Sequence, residues 1–221
     1  MKTILQLAFI LTLAGAISLR ADEPKPAPAG DASVLQPVGP GWLPVFNGTN
    51  LAGWKVEPGF WQVDADGVLH GHTPGEKLHH YGYTEKTYAD FELHADVKLV
   101  GNNSGVCIRI TPVDFDNVPG YQVDMGDGYW GCLWEEKGRG MVAKYPKADA
   151  DNLVHKDEWN HYYVRAQGHH IQMWLNGVKT VDLVDDKGPL TGAIGFQLCH
   201  GAGKVTDACF KNVVYRPLAS E

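Results

Sequence analysis

The chain has 221 residues, 44% of them hydrophobic, and a formal net charge of −7. That length suits one sizeable domain better than two. Lys and Arg are scattered and outnumbered by Asp and Glu, 19 against 26, which excludes the basic footprint of a nucleic-acid binder, and no basic amphipathic helix points to a membrane surface.

Residues 1–21 read as a secretory signal peptide: Lys2, then an apolar run from Ile4 to Leu19, then small residues about Ala14–Ala21. The run is short for a membrane span, and the competing reading is an uncleaved N-terminal anchor. Residues 22–40 are rich in Pro and Ala, as in Pro24, Pro26, Ala27 and Pro28. Such a stretch cannot bury a core and reads as a semi-rigid linker. A folded domain is expected over residues 41–218. Export implies a periplasmic or secreted location and permits disulfides. Cys107, Cys132, Cys199 and Cys209 then pair as 199–209 with 107–132, or stay as buried free thiols.

Strand signals fill the domain. Trp61–Asp64 and Val68–His70 flank an Asp66-Gly67 turn. Phe91–Leu99 alternates apolar and polar residues, the mark of a half-buried strand. Val106–Ile110 and Tyr121–Met125 come next, then β-rich stretches at Gly131–Trp134 and Met141–Tyr145. Trp159–Ala166, Ile171–Leu175 and Val178–Val184 predict a meander turning at Asn176-Gly177. Ala193–Leu198 and Cys209–Tyr215 close the domain. Nothing shows sustained helical periodicity, and turns recur at short intervals, so the chain predicts an all-β sandwich or barrel.

Alternation places Gln122 and Asp124 on one strand face, opposite Tyr121, Val123 and Met125. It places Arg109 with Cys107, opposite Val106, Ile108 and Ile110. Gln197 and His200 stand at the end of another strand. In a jelly roll one sheet can present a polar concave face. Arg109, Gln122, Asp124, Gln197 and His200, with Trp130 and Trp134 nearby, offer paired donors and acceptors and an apolar platform for a sugar ring. Taken singly, each of these residues also fits a solvated sheet face. Glu135-Glu136-Lys137 after Trp134 supplies an acid or base, or merely solvates a loop. His70 and His72 share a face, but no carboxylate spacing makes them a metal pair, and Asp114–Asn117 fits no calcium loop. No metal or cofactor is expected. The paired carboxylates along one strand of a retaining glycosidase are missing, as is a Gly-x-Ser-x-Gly elbow.

Several segments, in order, carry a resemblance. They are Val45–Trp54 (VFNGTNLAGW), Trp61–Val63 with Asp66–Leu69, Tyr88–Leu93, Asn103–Val106 with Arg109, and Gly120–Asp124. Glu158–Asn160, Trp174–Gly177, Gly195–Leu198 with His200-Gly201, and Phe210–Val213 complete the series. Together they are similar to the 3-keto-disaccharide hydrolase domain family, from about residue 41 to 217. The resemblance implies a concanavalin-like jelly-roll β-sandwich and cleavage of glycosidic bonds in sugars oxidised to a ketone at C3. A C3 ketone acidifies the C2 proton. A base removes it, the oxygen on C1 leaves, and water can add afterwards. On this implication Asp124 or His200 is the base and the other the acid or orienter. Arg109 stabilises the enolate, Gln122 and Gln197 bind hydroxyls, Trp130 and Trp134 line the site, and Glu135 is a reserve acid. Many members carry Glu where Gln122 stands, which puts a role for Gln122 as base in doubt. The partner is then a 3-keto-glycoside. The alternative function is a non-catalytic carbohydrate-binding module of the same fold.

Overall fold

The computed structural model describes residues 29–201 and 203–219. The signal-peptide reading and residues 22–28 of the expected linker lie outside them. The strands are β1 Leu43–Pro44, β2 Trp54–Val56, β3 Trp61–Val63, β4 Leu69–Thr73 and β5 His80–Tyr88. Then come β6 Phe91–Gly101, β7 Asn103–Ile110, β8 Gly120–Gly126, β9 Leu133–Glu136 and β10 Gly140–Ala143. A short helix, α1 Lys147–Asp151, precedes β11 Asn160–Gln167, β12 His170–Leu175, β13 Val178–Val184, β14 Gly192–Leu198 and β15 Thr206–Pro217.

These strands make two antiparallel sheets. One runs β13-β12-β11-β6-β15-β4-β3, with β1 added along β15; the other runs β10-β9-β8-β7-β14-β5-β2. The architecture is the concanavalin-like jelly-roll sandwich. Its core arises from the alternation within the strands. Leu93, Ala95 and Val97 of β6 face Val106, Ile108 and Val123 across the gap between the sheets, all essentially without water contact. Phe196 of β14 stacks on Phe210 of β15 at 3.9 Å, and Trp54 stacks on Phe196 at 5.3 Å. Burying each such side chain contributes about 1.5–3 kcal/mol. The Asn176-Gly177 turn has positive φ at both residues, 48° and 84°, as a two-residue hairpin of this kind requires.

Three features depart from the expected pattern. Strand β5 gives no clear signal in the sequence, because His80 and Thr84 are polar yet buried and Glu85 to Thr87 are exposed. The described part of the expected linker, residues 29–40, makes contacts with the domain. Asp31 donates its N–H to Gly177 O at 2.7 Å, and Trp42 lies over His94 with the Arg216 guanidinium 4.6 Å from its ring. The third is a bulge in β7. Gly195 pairs with Cys107 but Ala193 pairs with Ile110, so β7 carries one residue more than β14 over this stretch. The extra length is taken up at Arg109, whose φ is 51°.

Candidate functional site

The bulge corrects the expected place of Arg109. Cys107 and Ile110 both lie in the small apolar cluster on the outer face of the seven-stranded sheet, and Ile108 stays in the core. Arg109 turns away from the Gln122–Asp124 face. Its Nε donates to Ala89 O at 2.9 Å, Nη1 to Gly168 O at 2.7 Å and Nη2 to the Asp90 carboxylate at 3.0 Å. It is a buried clamp joining the β5–β6 and β11–β12 turns, with its donors turned to these partners.

The outer face otherwise carries a hydrogen-bonded polar layer. Gln122 Nε2 donates to Asp124 Oδ1 at 3.0 Å and to Gln197 Oε1 at 3.2 Å. Gln197 Nε2 lies 2.6 Å from Tyr81 Oη and donates to Glu136 Oε1 at 3.1 Å. Asn103 Nδ2 donates to Asp124 Oδ1 at 3.2 Å, and the Cys107 thiol lies 3.5 Å from Gln122 Oε1. Two amides thus connect two carboxyls. Gly105 makes this possible. It sits between Asp124 and Gln197 in register, and a Cβ there would stand 2.4 Å from Gln122 Cγ. Without a side chain at 105, Gln122 can cross β7 to reach β14.

The layer is nearly dry: Gln122 and Asp124 are 2% exposed and Gln197 1%. The loop after β7 helps to seal it, since Tyr81 N–H donates to Phe115 O and Val118 packs beside Tyr81. Burial pushes the Asp124 carboxyl up to about 7, against the hydrogen bonds from Gln122 and Asn103, and the nearby Glu136 charge adds to the rise. Burial also raises Glu136, the more accessible of the two. It raises the Tyr81 phenol as well, which stays a neutral hydroxyl.

The rim carries the remaining groups. His200 is exposed just past β14, edge-on to His79 at 4.5 Å, with Asn102 Nδ2 donating to its carbonyl at 3.2 Å. Burial, and then His200, lower the His79 imidazole to about 4, so it is neutral at ordinary pH. Trp134 stands opposite Gln122 in register and joins this face. The structure therefore brings Gln122, Asp124, Gln197, His200 and Trp134 together.

It separates two others. Glu135 is one residue out of phase: it pairs in register with Tyr121 and binds Arg139, which also grips Asp185. Trp130 stacks on Tyr162 and sits by Leu99 and Gly101 at the end of β6, away from the polar layer. Sequence reasoning gives no site role to Tyr81, His79 or Asn103, and reads Glu136 only within Glu135-Glu136-Lys137. Alternation from Trp134 reaches Glu136 directly, two residues on. Asn103 carries a signal only as part of the NSG segment, and Tyr81 sits on β5, which has no clear signal of its own.

All four cysteines are free thiols, so of the two readings the unpaired one holds. The Asp114 carboxylate accepts the N–H groups of Asp116 and Asn117 and so closes a loop turn. Among the described residues no three His, Cys, Asp or Glu side chains surround a point suited to a metal ion.

The chain resembles several solved structures. A candidate glycosyl hydrolase of Parabacteroides distasonis ATCC 8503 is 28% identical, with a TM-score of 0.58 over 80% of this chain and 99% of that one. The carbohydrate-binding module CBM66 of Bacillus subtilis is 18% identical, with a TM-score of 0.56 over 74% of this chain and 95% of that one. The β-glucanase of Bacillus licheniformis is 14% identical, with a TM-score of 0.53 over 81% and 99%. The last two show likeness of fold alone. No curated protein matches the chain. The model of the 3-keto-alpha-glucoside-1,2-lyase-like domain matches residues 41–216, and the chain belongs to that family.

Proposed function

We propose that this member of the 3-keto-alpha-glucoside-1,2-lyase-like family is an exported enzyme that cleaves 3-keto-glycosides by elimination, with Glu136 as base and Asp124 as acid. The observation that carries this reading is the pair of carboxyls on one sheet face, linked through the Gln122 and Gln197 amides. Among the described residues no lysine or arginine pairs with either. Their surroundings differ: Asp124 is sealed and holds its proton up to about pH 7, whereas Glu136 is at the rim. Two acids whose environments differ in this way divide into acid and base.

The steps balance. Glu136 takes the proton from C2 of the sugar, and the C–H electron pair forms C2=C3 with the charge on the former ketone oxygen. That enolate reforms C3=O, makes C1=C2 and expels the oxygen on C1, which takes the proton of Asp124. Glu136 ends neutral and Asp124 ionised, so the total charge of the pair does not change. The cost of a second buried charge never arises. Exchange with solvent resets both groups, and water adding across C1=C2 makes the net reaction a hydrolysis.

Asn103 and Gln122 both donate to Asp124 Oδ1, so the proton that the leaving oxygen takes is carried on Oδ2. With Arg109 engaged elsewhere, His200 takes the part of donor to the enolate oxygen in this reading, and Trp134 offers the apolar face for the ring. The chemistry needs no carboxylates spaced for a glycosyl-enzyme intermediate, in keeping with their absence along any one strand. The resemblance to a candidate glycosyl hydrolase supports a sugar substrate.

Glu136→Gln and Asp124→Asn, assayed on a 3-keto-glucoside, are each expected to lower kcat by about a hundredfold or more. Deuterium at C2 is expected to slow the parent enzyme. Full turnover in both variants overturns the assignment. Binding of the ketosugar with no turnover by the parent protein supports the binding-module reading instead.

A further inference from the structure

Beside the polar layer the surface continues as a trough. Asn103, which touches Asp124, also lines a hollow of about 540 Å³ with Asn102 and Tyr129. This hollow shares Gly101 and Asp127 with a second, of about 580 Å³, that Trp130 and Val154 line. Each is within the range of sites that hold small ligands. The Tyr129 ring meets Trp134 edge-on at 6.3 Å, and Trp134 stands beside Gln122. Two separate contacts, one polar and one aromatic, therefore join the trough to the acid end of the site.

The glycines hold its walls close. Gly101 has a φ of 110°, and a Cβ there would stand 2.1 Å from Val205 O. At Gly126, with a φ of 154°, one would stand 2.6 Å from Asn103 Nδ2. The trough is aromatic at Tyr129 and Trp130 and charged along its sides. The charges balance: Asp127, Asp151 and Asp157 against Lys147, Lys156 and Lys204. Lys147 lies 2.6 Å from Asp127 and 2.8 Å from Asp151. A wall of this kind offers donors and acceptors without net attraction for an anion. Hydroxyl groups of a neutral sugar suit it, and a polyanionic chain does not.

We infer that this trough is the subsite for the leaving group, and that it takes a neutral oligosaccharide of two or more rings beyond the bond that is cleaved. The inference rests on the proposed elimination for its direction, since Asp124 protonates the departing oxygen at the Asn103 end. The occupancy of the trough is independent of that direction.

Two measurements on the full chain test it. The first is binding of unoxidised neutral glucotriose, followed by tryptophan fluorescence, against glucose and against a hexuronate trimer of equal length. Glucotriose is expected to bind about tenfold more tightly than either. Equal affinity for glucotriose and glucose overturns the subsite whether or not the protein is catalytic, and preference for the anionic trimer overturns its neutral character. The second compares kcat/KM for 3-keto-glucosides with one-ring and three-ring leaving groups. The longer substrate is expected to be favoured about tenfold, and Tyr129→Ala, at an exposed ring, is expected to bring that ratio towards one. Equal ratios in the parent overturn the inference while leaving the elimination intact. Absence of turnover on both substrates overturns the elimination, and the glucotriose result then decides the trough alone.

Discussion

The two sheets each turn a polar face outward, and they treat their carboxylates in opposite ways. On the eight-stranded sheet acids meet basic rings. His70 and His72 both reach Asp207 Oδ1, at 3.2 and 2.8 Å; His161 meets Asp96 at 2.7 Å; His170 meets Asp182 at 2.7 Å. Lys179, then His170 and Gln172, hold the Asp182 carboxyl below its usual range in contact with water. In the polar layer of the seven-stranded sheet Asp124 and Glu136 meet amides instead. Asp124 has no lysine, arginine or histidine bonded to it among the described residues, and almost no water. The residue type is the same; the sign of the shift reverses. A neighbour's charge and access to water decide whether an aspartate keeps its proton. An acid that keeps its proton near neutral pH is able to donate it.

Arg109 offers the sharpest way to break this comparison, because it is a cation on the seven-stranded sheet that does not serve the acids. It is 1% exposed and bound to Asp90 and to backbone carbonyls. Arg109→Leu leaves those partners buried and unmatched. We expect a loss of about 3–5 kcal/mol in urea unfolding, the range for breaking a buried pair from one side. Turnover per folded molecule, measured at low temperature, is expected to stay near that of the parent. A large fall in kcat with unchanged stability would return Arg109 to the chemistry.

The same residue shows where the sequence stops being legible. Alternation in Phe91–Leu99 and Tyr121–Met125 is plain because apolar positions face the core and polar ones the outer face, even where that face is covered, and it places Gln122 and Asp124 together correctly. Alternation fails at Arg109 because one extra residue in β7 changes the face of the residues after it, and no residue type there announces a bulge. Glu135 and Glu136 are adjacent and chemically alike. Only the phase set by Leu133 in the core separates the one that binds Arg139 from the one that meets Gln197. Strand β5 is hidden for another reason: its inward positions include His80 and Thr84, whose burial is met by partners distant in sequence. His80 stacks on Phe60 at 3.5 Å and meets Glu57 at 2.6 Å. Such contacts have no local signature.

A pH series on Asp124→Asn tests the comparison more finely. The folded carboxyl titrates at about 7, above its ordinary value of 3.8. Between those values the folded state binds a proton that the unfolded state has lost. This group's contribution is therefore fully present below about pH 4 and declines as pH rises towards 7. Asparagine keeps a side-chain oxygen for Gln122 or Asn103 and does not titrate. The stability of the variant relative to the parent is expected to rise with pH across that window, by up to about 1.4 kcal/mol per pH unit at its steepest. A difference that is flat with pH would show that Asp124 is ionised in the folded protein and is not the acid.

The smallest effect belongs to the other face. His72 is 53% exposed at its side chain and Asp207 34%, and His70 is already present to share the same carboxylate oxygen. In His72→Ala water replaces the imidazole around Asp207, so no charge is left stranded in a dry site. Exposed pairs of this kind contribute little, and we expect a change below about 0.5 kcal/mol in unfolding free energy. Turnover of a 3-keto-glucoside is expected to be unaltered, since β4 lies in the sheet opposite the polar layer. The measurement is informative because it applies the same kind of deletion to a water-exposed carboxylate that Arg109→Leu applies to a buried one. If His72→Ala destabilised the protein as strongly as Arg109→Leu, access to water would not be what distinguishes the two faces. The account of Asp124 as a proton-holding acid would then lose its physical basis.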